Sequence, residues 1–314
     1  MTLPVTPQDI TRAYALIAPY IRRTPVWNFP NGEFGHDGPV SLKLEFMQHA
    51  GSFKPRGAFN TLLTETIPEA GVAAASGGNH GAAVAYAAKV LGVPAKIFVP
   101  EISSKPKVDA IRRQGADVVV GGPRYADALV SCGFHIAQTG ALSVHAYDAI
   151  GTITGQGTVA LEWEQDVPDL DTVLVAVGGG GLISGMSAYW RRRVKVVGVE
   201  PVGSRALHAA LEAGGPVDVD VHSVAADSLG ARNTGALVHE ICQAAVDHVA
   251  LVEDPAIVEA QRILWRDYRI ACEPGGAAAL AALISGAFKP EPGERVGVLL
   301  CGANVDLAKL DELL

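Results

Sequence analysis

From about residue 72 onward, short apolar segments alternate with longer segments of helical period. "AKIFVP" and "ADVVVGG" are apolar runs of strand length, whereas "GGNHGAAVAYAAKVLG" repeats apolar residues on one helical face and ends at Gly92. Strands that are apolar throughout and separated by helices are typical of parallel strands covered on both faces. The alternation therefore predicts an α/β fold in which mostly parallel sheets are flanked by helices.

The same reasoning extends to the rest of the chain. Thr6 followed by Pro7 predicts the start of an N-terminal helix. Segment 214–235 has neither a helical nor a strand period and is longer than most loops, so we expect it to be functional or mobile. The remaining expected elements are strands at 142–148, 172–177 and 194–200, and helices at 153–165, 182–193, 254–268 and 275–286.

Charge, hydropathy and cysteine content exclude several classes of function. The net charge is −8, and nucleic acid is not an expected partner because phosphate binding needs a basic face. The chain shows no secretory leader and no apolar run long enough to span a bilayer, so we expect a cytoplasmic protein without a membrane partner. The cysteines lack CxxC spacing, which predicts neither a disulfide framework nor a zinc site; they are Cys132, Cys242, Cys272 and Cys301.

Three loops that follow predicted strands carry unusual residues. "SGGNHG", at 76–81, opens a helix, and "VGGGGLISG" places four glycines, 178–181, between a strand and a helix. Backbone N–H groups at a helix N-terminus bind anions, and glycine lets a phosphate approach closely. We favour phosphate binding over a structural turn, although Asn79 and His80 also suit helix caps. The third loop, "LLCGANVD", begins at the end of the last strand, and ligands bind where such loops meet.

Lys54 lies in "AGSFKPRGAFN", between Phe53 and Pro55 and away from other charges except Arg56. One interpretation is a half-buried lysine whose amine reaches solvent from a helix start. The other is a reactive amine, because desolvation favours the neutral form that attacks a carbonyl. A reactive lysine together with a phosphate-binding loop is what a pyridoxal phosphate enzyme requires.

Five motifs occur in one order along nearly the whole chain, up to Asp306: "GSFKPRGAFN", "SGGNHGAAVAYAA", "VGGGGLISG", "EPGGAAA" and "LCGANVD". In this set and order the chain resembles the serine/threonine dehydratase and serine racemase family, which are fold type II pyridoxal phosphate enzymes. The resemblance implies pyridoxal 5'-phosphate as cofactor, an amino acid as substrate and a homodimer. It also implies two lobes, each with a central mostly parallel sheet: residues 1–66 and 148–314 form the large cofactor-binding lobe, and residues 67–147 form a small mobile lobe carrying the substrate loop.

The resemblance also assigns roles to individual residues. Lys54 matches the lysine that forms the Schiff base with the cofactor and then acts as base, and Phe53 matches the residue that packs on the pyridine ring. Asn79 matches the partner of the cofactor's 3-hydroxyl, and Cys301 matches the residue that faces the pyridine nitrogen. The phosphate cup is implied at Gly178, Gly179, Gly180, Gly181 and the Leu182 amide. The loop that receives the substrate carboxylate contains Ser76, Gly77, Asn79, His80 and Gly81.

Three positions depart from the family pattern. Cys301 stands where most members carry serine or threonine, and a neutral thiol makes the ring a modest electron sink that suits elimination; it also suits a small buried apolar residue. Gly77 stands where serine racemases carry the serine that serves the second face of the substrate. The family's divalent-metal region falls in "HSVAADSLG", where Asp227 is a candidate ligand but the expected glutamate is missing.

These features, together with the resemblance, predict a lyase that converts L-threonine, L-serine or a related L-β-hydroxy amino acid by α,β-elimination to a 2-oxo acid and ammonia. Serine racemase and β-replacement are the alternatives within this class of enzymes. A non-catalytic sensor of amino acids or cofactor is the alternative from another class. Intact Lys54, Asn79 and the four glycines argue against a sensor.

Overall fold

The computed structural model describes residues 3–308, which form two β-sheets flanked by helices. Neighbouring strands of the larger sheet are parallel except for the first pair, which is antiparallel. In spatial order its strands are β1 (Val26–Phe29), β2 (Val40–Lys43), β10 (Val296–Leu299), β7 (Thr172–Ala176), β8 (Lys195–Pro201) and β9 (His248–Val252). The predicted α/β class with mostly parallel strands is confirmed.

The smaller sheet is parallel throughout. Its strands, in spatial order, are β5 (Asp117–Val120), β4 (Ala95–Val99), β3 (Val72–Ala75) and β6 (Leu142–Ser143). All four lie within residues 67–147, the range predicted for the small lobe. The ends of the chain, residues 1–2 and 309–314, lie outside the described residues.

Twelve α-helices cover the sheets within the described residues. They are α1 (Pro7–Ile17), α2 (Pro55–Thr64), α3 (Asn79–Leu91), α4 (Lys105–Arg113), α5 (Tyr125–Thr139), α6 (Ile150–Asp166), α7 (Gly181–Trp190), α8 (Ala206–Ala213), α9 (Ala226–Leu229), α10 (Ala236–Ala245), α11 (Asp254–Tyr268) and α12 (Pro274–Ile284). Thr6 caps α1 as predicted, because its side chain accepts the backbone N–H of Asp9. None of the helices in residues 3–308 is both long enough and apolar enough to cross a bilayer.

Two predicted boundaries are wrong for identifiable reasons. The strand predicted at 142–148 ends at Ser143, because the Nδ1 atom of His145 accepts the backbone N–H of Asp148 at 2.9 Å and turns the chain. The helix predicted at 182–193 ends at Trp190, because Arg191 takes a left-handed backbone conformation with φ of 46°. Segment 214–235 contains only the short helix α9.

The apolar core follows the two sheets. The larger cluster surrounds the six-stranded sheet and includes the fully buried Trp163 and Trp190. A second cluster beneath the four-stranded sheet includes Phe59 of α2 and Ile17 of α1. Helix α2, which begins beside Lys54, therefore packs against residues of the small sheet as well as against α6.

Candidate active site

The loops that follow β3 and β10 meet in space. Asn79 donates a hydrogen bond from Nδ2 to Oε1 of Glu273 at 2.6 Å, and Asn304 donates from Nδ2 to Oδ1 of Asn79 at 2.7 Å. The contact with Asn304 brings loop 76–81 of the smaller sheet together with the loop after β10 of the larger sheet, and the contact with Glu273 joins it to the start of α12. The structure therefore brings together two of the loops that the sequence analysis singled out at strand ends.

Lys54 immediately precedes α2 and reaches the same region. Its Nζ atom donates a 2.9 Å hydrogen bond to the carbonyl oxygen of Ala146 and lies 5.1 Å from the centre of the Phe53 ring. Burial lowers the pKa of Lys54 to about 8, against the opposing influence of Cys301 and Glu273. At pH 7 about a tenth of such an amine is neutral, roughly 300-fold more than at its ordinary pKa.

A buried charge cluster of Lys43, Glu45, Arg56 and Glu162 holds the first turn of α2 in place. Arg56 donates to both carboxylate oxygens of Glu45, at 2.8 and 2.7 Å, and to Glu162 at 3.1 Å. Lys43 donates to Glu162 at 2.7 Å, and all four side chains are fully buried. Although burial raises the pKa of Glu45, Arg56 holds it below the usual value. Two positively charged side chains therefore neutralise two carboxylates, and one of them, Arg56, lies two residues after Lys54.

The four glycines at 178–181 connect β7 to α7 and lie against Tyr147. A Cβ atom on Gly179 would come within 2.1 Å of the Tyr147 ring, and one on Gly181 within 2.8 Å of the Tyr147 Cα. Gly180 has φ of +87°, which side chains rarely adopt. Gly179, Gly180 and Gly181 therefore each require glycine. At Gly179 the reason is the packed Tyr147 ring, which the sequence alone did not indicate.

The same loop presents unpaired backbone donors. Within residues 3–308, the N–H groups of 178–182, including that of the buried Leu182, have no acceptor. Unpaired N–H groups at the N-terminus of a ten-residue helix are suited to binding an anion such as phosphate.

Loop 76–81 presents a second set of donors. Gly78 donates its N–H to Oγ of Ser76 at 3.2 Å, while the N–H groups of Gly77 and Asn79 find no acceptor in the part of the chain that the structure describes. His80 donates from Nε2 to the carbonyl oxygen of Val144 at 2.8 Å. Burial, with Lys54 acting in the same direction, lowers the pKa of His80 to about 3, so the ring is neutral.

Two other predicted residues are tightly packed. A Cβ atom on Gly81 would come within 2.2 Å of the Ser76 carbonyl oxygen, so this glycine is required where α3 begins. Cys301 is buried, and its thiol donates to the carbonyl oxygen of Gly275 at 3.6 Å. Burial raises the pKa of Cys301 to about 12, which keeps the thiol neutral.

Glu273, Tyr147 and Asn304 line the site although the sequence analysis assigned them no role. Glu273 precedes α12 in the quoted motif "EPGGAAA", and Asn304 lies in "LCGANVD", so the motifs could have indicated both. Burial raises the pKa of Glu273. No local pattern marks Tyr147, because its contact with the glycines joins two distant loops.

Asp227 does not lie in a group of metal ligands. It forms an ion pair with Lys107 of α4, which reaches across from the smaller sheet. Within residues 3–308, no group of three or more histidine, cysteine, aspartate or glutamate side chains is close enough to hold a metal ion.

A buried lysine with a lowered pKa, a glycine loop with unpaired N–H groups and a neutral buried thiol are features that a pyridoxal phosphate site requires. The family model described as pyridoxal-phosphate dependent enzyme matches residues 17–302. This chain therefore belongs to the pyridoxal phosphate-dependent enzymes, whose cofactor is pyridoxal 5'-phosphate. The resemblance found in the sequence is confirmed.

Individual relatives show which enzymes of this family the chain is similar to. The chain is 38% identical to phenylserine dehydratase of Ralstonia pickettii, over 94% of this chain and 91% of the relative. It is also 38% identical to the biosynthetic L-threonine dehydratase of Mycobacterium tuberculosis, over 98% of this chain and 73% of the relative. Maize serine racemase has the same fold, with a TM-score of 0.92, 33% identity and coverage of 99% and 97% of the two chains. These relatives confirm fold type II and include both dehydratases and racemases.

Proposed function

We propose that this enzyme eliminates water from an L-β-hydroxy amino acid to give an enamine, whose imine form then takes up water and releases ammonia, leaving a 2-oxo acid. L-Threonine, L-serine and the aryl analogue phenylserine are the candidate substrates, since similar proteins are named for threonine and phenylserine dehydration. The observation that carries elimination over racemisation is Gly77, which has no side chain to exchange a proton with the second face of the substrate.

The residues present fit the cofactor, and we assign its contacts as follows. Lys54 binds its aldehyde carbon covalently, and Phe53 packs on its ring. The phosphate lies on the N–H groups of 178–182, which lack other acceptors in the described chain. Asn79 reaches the 3-hydroxyl, and Cys301 lies at the ring nitrogen.

When bound, the cofactor supplies an electron sink that acidifies the α-carbon of the attached amino acid. Lys54, released from its covalent bond, removes the α-proton, and a pKa near 8 suits a base at neutral pH. The N–H groups of loop 76–81 hold the substrate carboxylate at the start of α3. Loss of the β-hydroxyl then breaks the Cβ–O bond, and the α-proton and hydroxide together make water.

Racemisation is the second candidate because of Ser103. Its Oγ atom lies 1.9 Å from the place where a Cβ of Gly77 would be, so a hydroxyl lies beside that position. Incubation with L-serine in D2O, following pyruvate and D-serine together, separates the two activities. We expect pyruvate with negligible D-serine; substantial D-serine that disappears in Ser103→Ala would replace elimination by racemisation as the function.

Adding a hydroxyl at position 77 should create racemisation only if space is made for it. Gly77→Ser alone would collide with Ser103, so the informative protein is the double variant Gly77→Ser/Ser103→Gly. We expect its D-serine formation to rise by about 10²-fold, the lower range for one positioned acid or base. Ser103→Gly alone is the control, and an unchanged D-serine rate in a folded double variant would contradict the role given to Gly77.

Cys301 should tolerate serine but not aspartate. Cys301→Ser supplies another neutral partner, and we expect turnover within about threefold of the unmodified enzyme. Cys301→Asp should lower elimination by about tenfold or more, since a carboxylate there stabilises a protonated ring nitrogen by over one pKa unit. Steady-state turnover and the cofactor's absorption spectrum provide the measurement; equal rates in the two variants would remove Cys301 from the ring nitrogen.

We also propose that residues 67–147 move as a small lobe against 1–66 and 148–314. The ion pair between Lys107 and Asp227 joins α4 to α9, and so it is one of the contacts that such a motion would alter. Structures with and without a bound substrate analogue test it, and no relative movement would count against the division. A homodimer and a cytoplasmic location stay predictions, to be tested by sedimentation and by cell fractionation.

A further inference from the structure

His145 lies on the loop between β6 and α6 that borders the site, and the chemistry described above does not use it. The next residue, Ala146, accepts the hydrogen bond of the Lys54 amine, and Tyr147 packs on the glycine loop. The imidazole is exposed, and its ring meets the Tyr147 ring edge-on, with centres 4.8 Å apart. A polar ring is thus presented one residue from the atom that holds Lys54.

The hydrogen bonds of this ring determine which nitrogen carries the proton. Nδ1 of His145 accepts the backbone N–H of Asp148 at 2.9 Å and that of Tyr147 at 3.3 Å. A nitrogen that accepts two N–H groups has no proton, so the proton of the neutral ring is on Nε2. Because Nδ1 is turned toward its own loop, Nε2–H is the polar edge left for a ligand.

The surroundings of the ring favour its neutral form. Although the residue is exposed, neighbouring groups exclude part of its water and so lower the pKa of His145; Asp148 opposes this, and Lys54 acts in the same direction as the loss of water. His80, which interacts electrostatically with His145, is itself neutral. Protonating Nδ1 would also direct its new N–H against the backbone N–H groups of Tyr147 and Asp148, which Nδ1 now accepts. His145 is therefore suited to donating a hydrogen bond from Nε2 and not to giving up a proton, since loss of that proton would leave an imidazolate anion.

We propose that His145 is a further substrate-binding residue, whose Nε2–H donates a hydrogen bond to the β-hydroxyl of the amino acid. This inference rests on the proposed dehydratase function. The proposed function places the α-carbon beside Lys54 Nζ and the carboxylate at loop 76–81. Lys54 Nζ lies 2.9 Å from the carbonyl oxygen of Ala146, so the 145–148 loop borders the α-carbon and is within reach of the β-substituent. As the Cβ–O bond breaks, its electron pair goes to oxygen and the donor stabilises the developing charge. The hydroxide takes up a proton equivalent to the one removed from the α-carbon, and His145 gains and loses none.

The test compares two leaving groups in one set of variants. His145→Ala should slow pyruvate formation from L-serine by about 10²-fold, the usual cost of losing one donor aimed at developing charge. Elimination of chloride from β-chloro-L-alanine should change by less than about twofold, because chloride leaves without a hydrogen-bond donor of this kind. His145→Gln, whose side-chain amide reaches the Nε2 position, should recover most of the loss with L-serine. Unchanged cofactor affinity in both variants serves as the check on folding.

A second readout does not depend on turnover. Two-bond ¹H–¹⁵N correlation spectra of the protein without cofactor, assigned by comparison with His145→Gln, should show the Nε2–H tautomer at about pH 8, above the ordinary pKa of histidine. An Nδ1–H tautomer, or equal slowing of L-serine and β-chloro-L-alanine, would overturn the role of His145 alone. Release of chloride by an unmodified enzyme that dehydrates no hydroxy amino acid would overturn the dehydratase function and this inference together.

Discussion

Replacing Lys54 with alanine is expected to lower turnover by at least about 10⁴-fold, because one change removes both the covalent attachment and the general base. Cofactor should still bind, through the N–H groups of 178–182, but its absorption should be that of the free aldehyde. Borohydride reduction followed by peptide mapping provides the direct measurement, and in the unmodified enzyme the reduced cofactor should lie on the peptide containing Lys54.

Lys89 offers a matched control, because it is an exposed lysine on α3. Lys89→Ala should leave both turnover and trapping unchanged. The pH dependence gives a further check: attachment of cofactor to the cofactor-free protein needs the neutral amine, so its rate should rise up to about pH 8, the pKa of Lys54, and level off above it. Finding the reduced cofactor on Lys89 or Lys105 would contradict the assignment of Lys54 as the lysine that binds the cofactor.

Gly179→Val should lower cofactor affinity by several orders of magnitude. The structure gives the reason, since a Cβ there would lie 2.1 Å from the Tyr147 ring and would displace the loop whose N–H groups face the phosphate. Titration of the cofactor-free protein, followed by absorbance, measures the effect. Gly215→Val is the control, because a Cβ at Gly215 meets open space and its backbone conformation is ordinary.

A double variant separates two explanations of that loss. If the collision with Tyr147 displaces the loop, Gly179→Val/Tyr147→Ala should recover part of the affinity. If valine instead blocks the phosphate directly, as the sequence alone suggested, the second change should recover nothing. Unchanged affinity in Gly179→Val itself would mean that the phosphate binds elsewhere.

Much of the fold could be predicted because its signals are local. Strands such as β3 and β7 are buried at every residue, so they are apolar except for Thr172 and stand out from the helices around them. Strand β6 could not be predicted to its true length. His145 interrupts an apolar-looking run by binding its own backbone, and no strand pattern encodes that contact.

The residues of the candidate site also differ in whether local sequence identifies them. Lys54 and the glycines at 178–181 attract notice because residue type and neighbours suffice to single them out. Glu273, Tyr147 and His145 matter only through the loops they meet, which depends on the order of strands in two separate sheets. Their partners are far away in the chain: Asn79 lies 194 residues from Glu273.

The buried charge cluster of Lys43, Glu45, Arg56 and Glu162 limits how this chain can diverge over generations. Loss of any one member leaves a net charge in the core, which costs about 3–5 kcal/mol, a large share of the roughly 5–15 kcal/mol that keeps a protein folded. Simultaneous replacement of Arg56 and Glu45 by apolar residues avoids that cost, but two coincident mutations are rare. Every variant with a single replacement among these four residues is therefore destabilised. An apolar pair of equal stability would be hard for evolution to reach, because the path to it passes through such a variant.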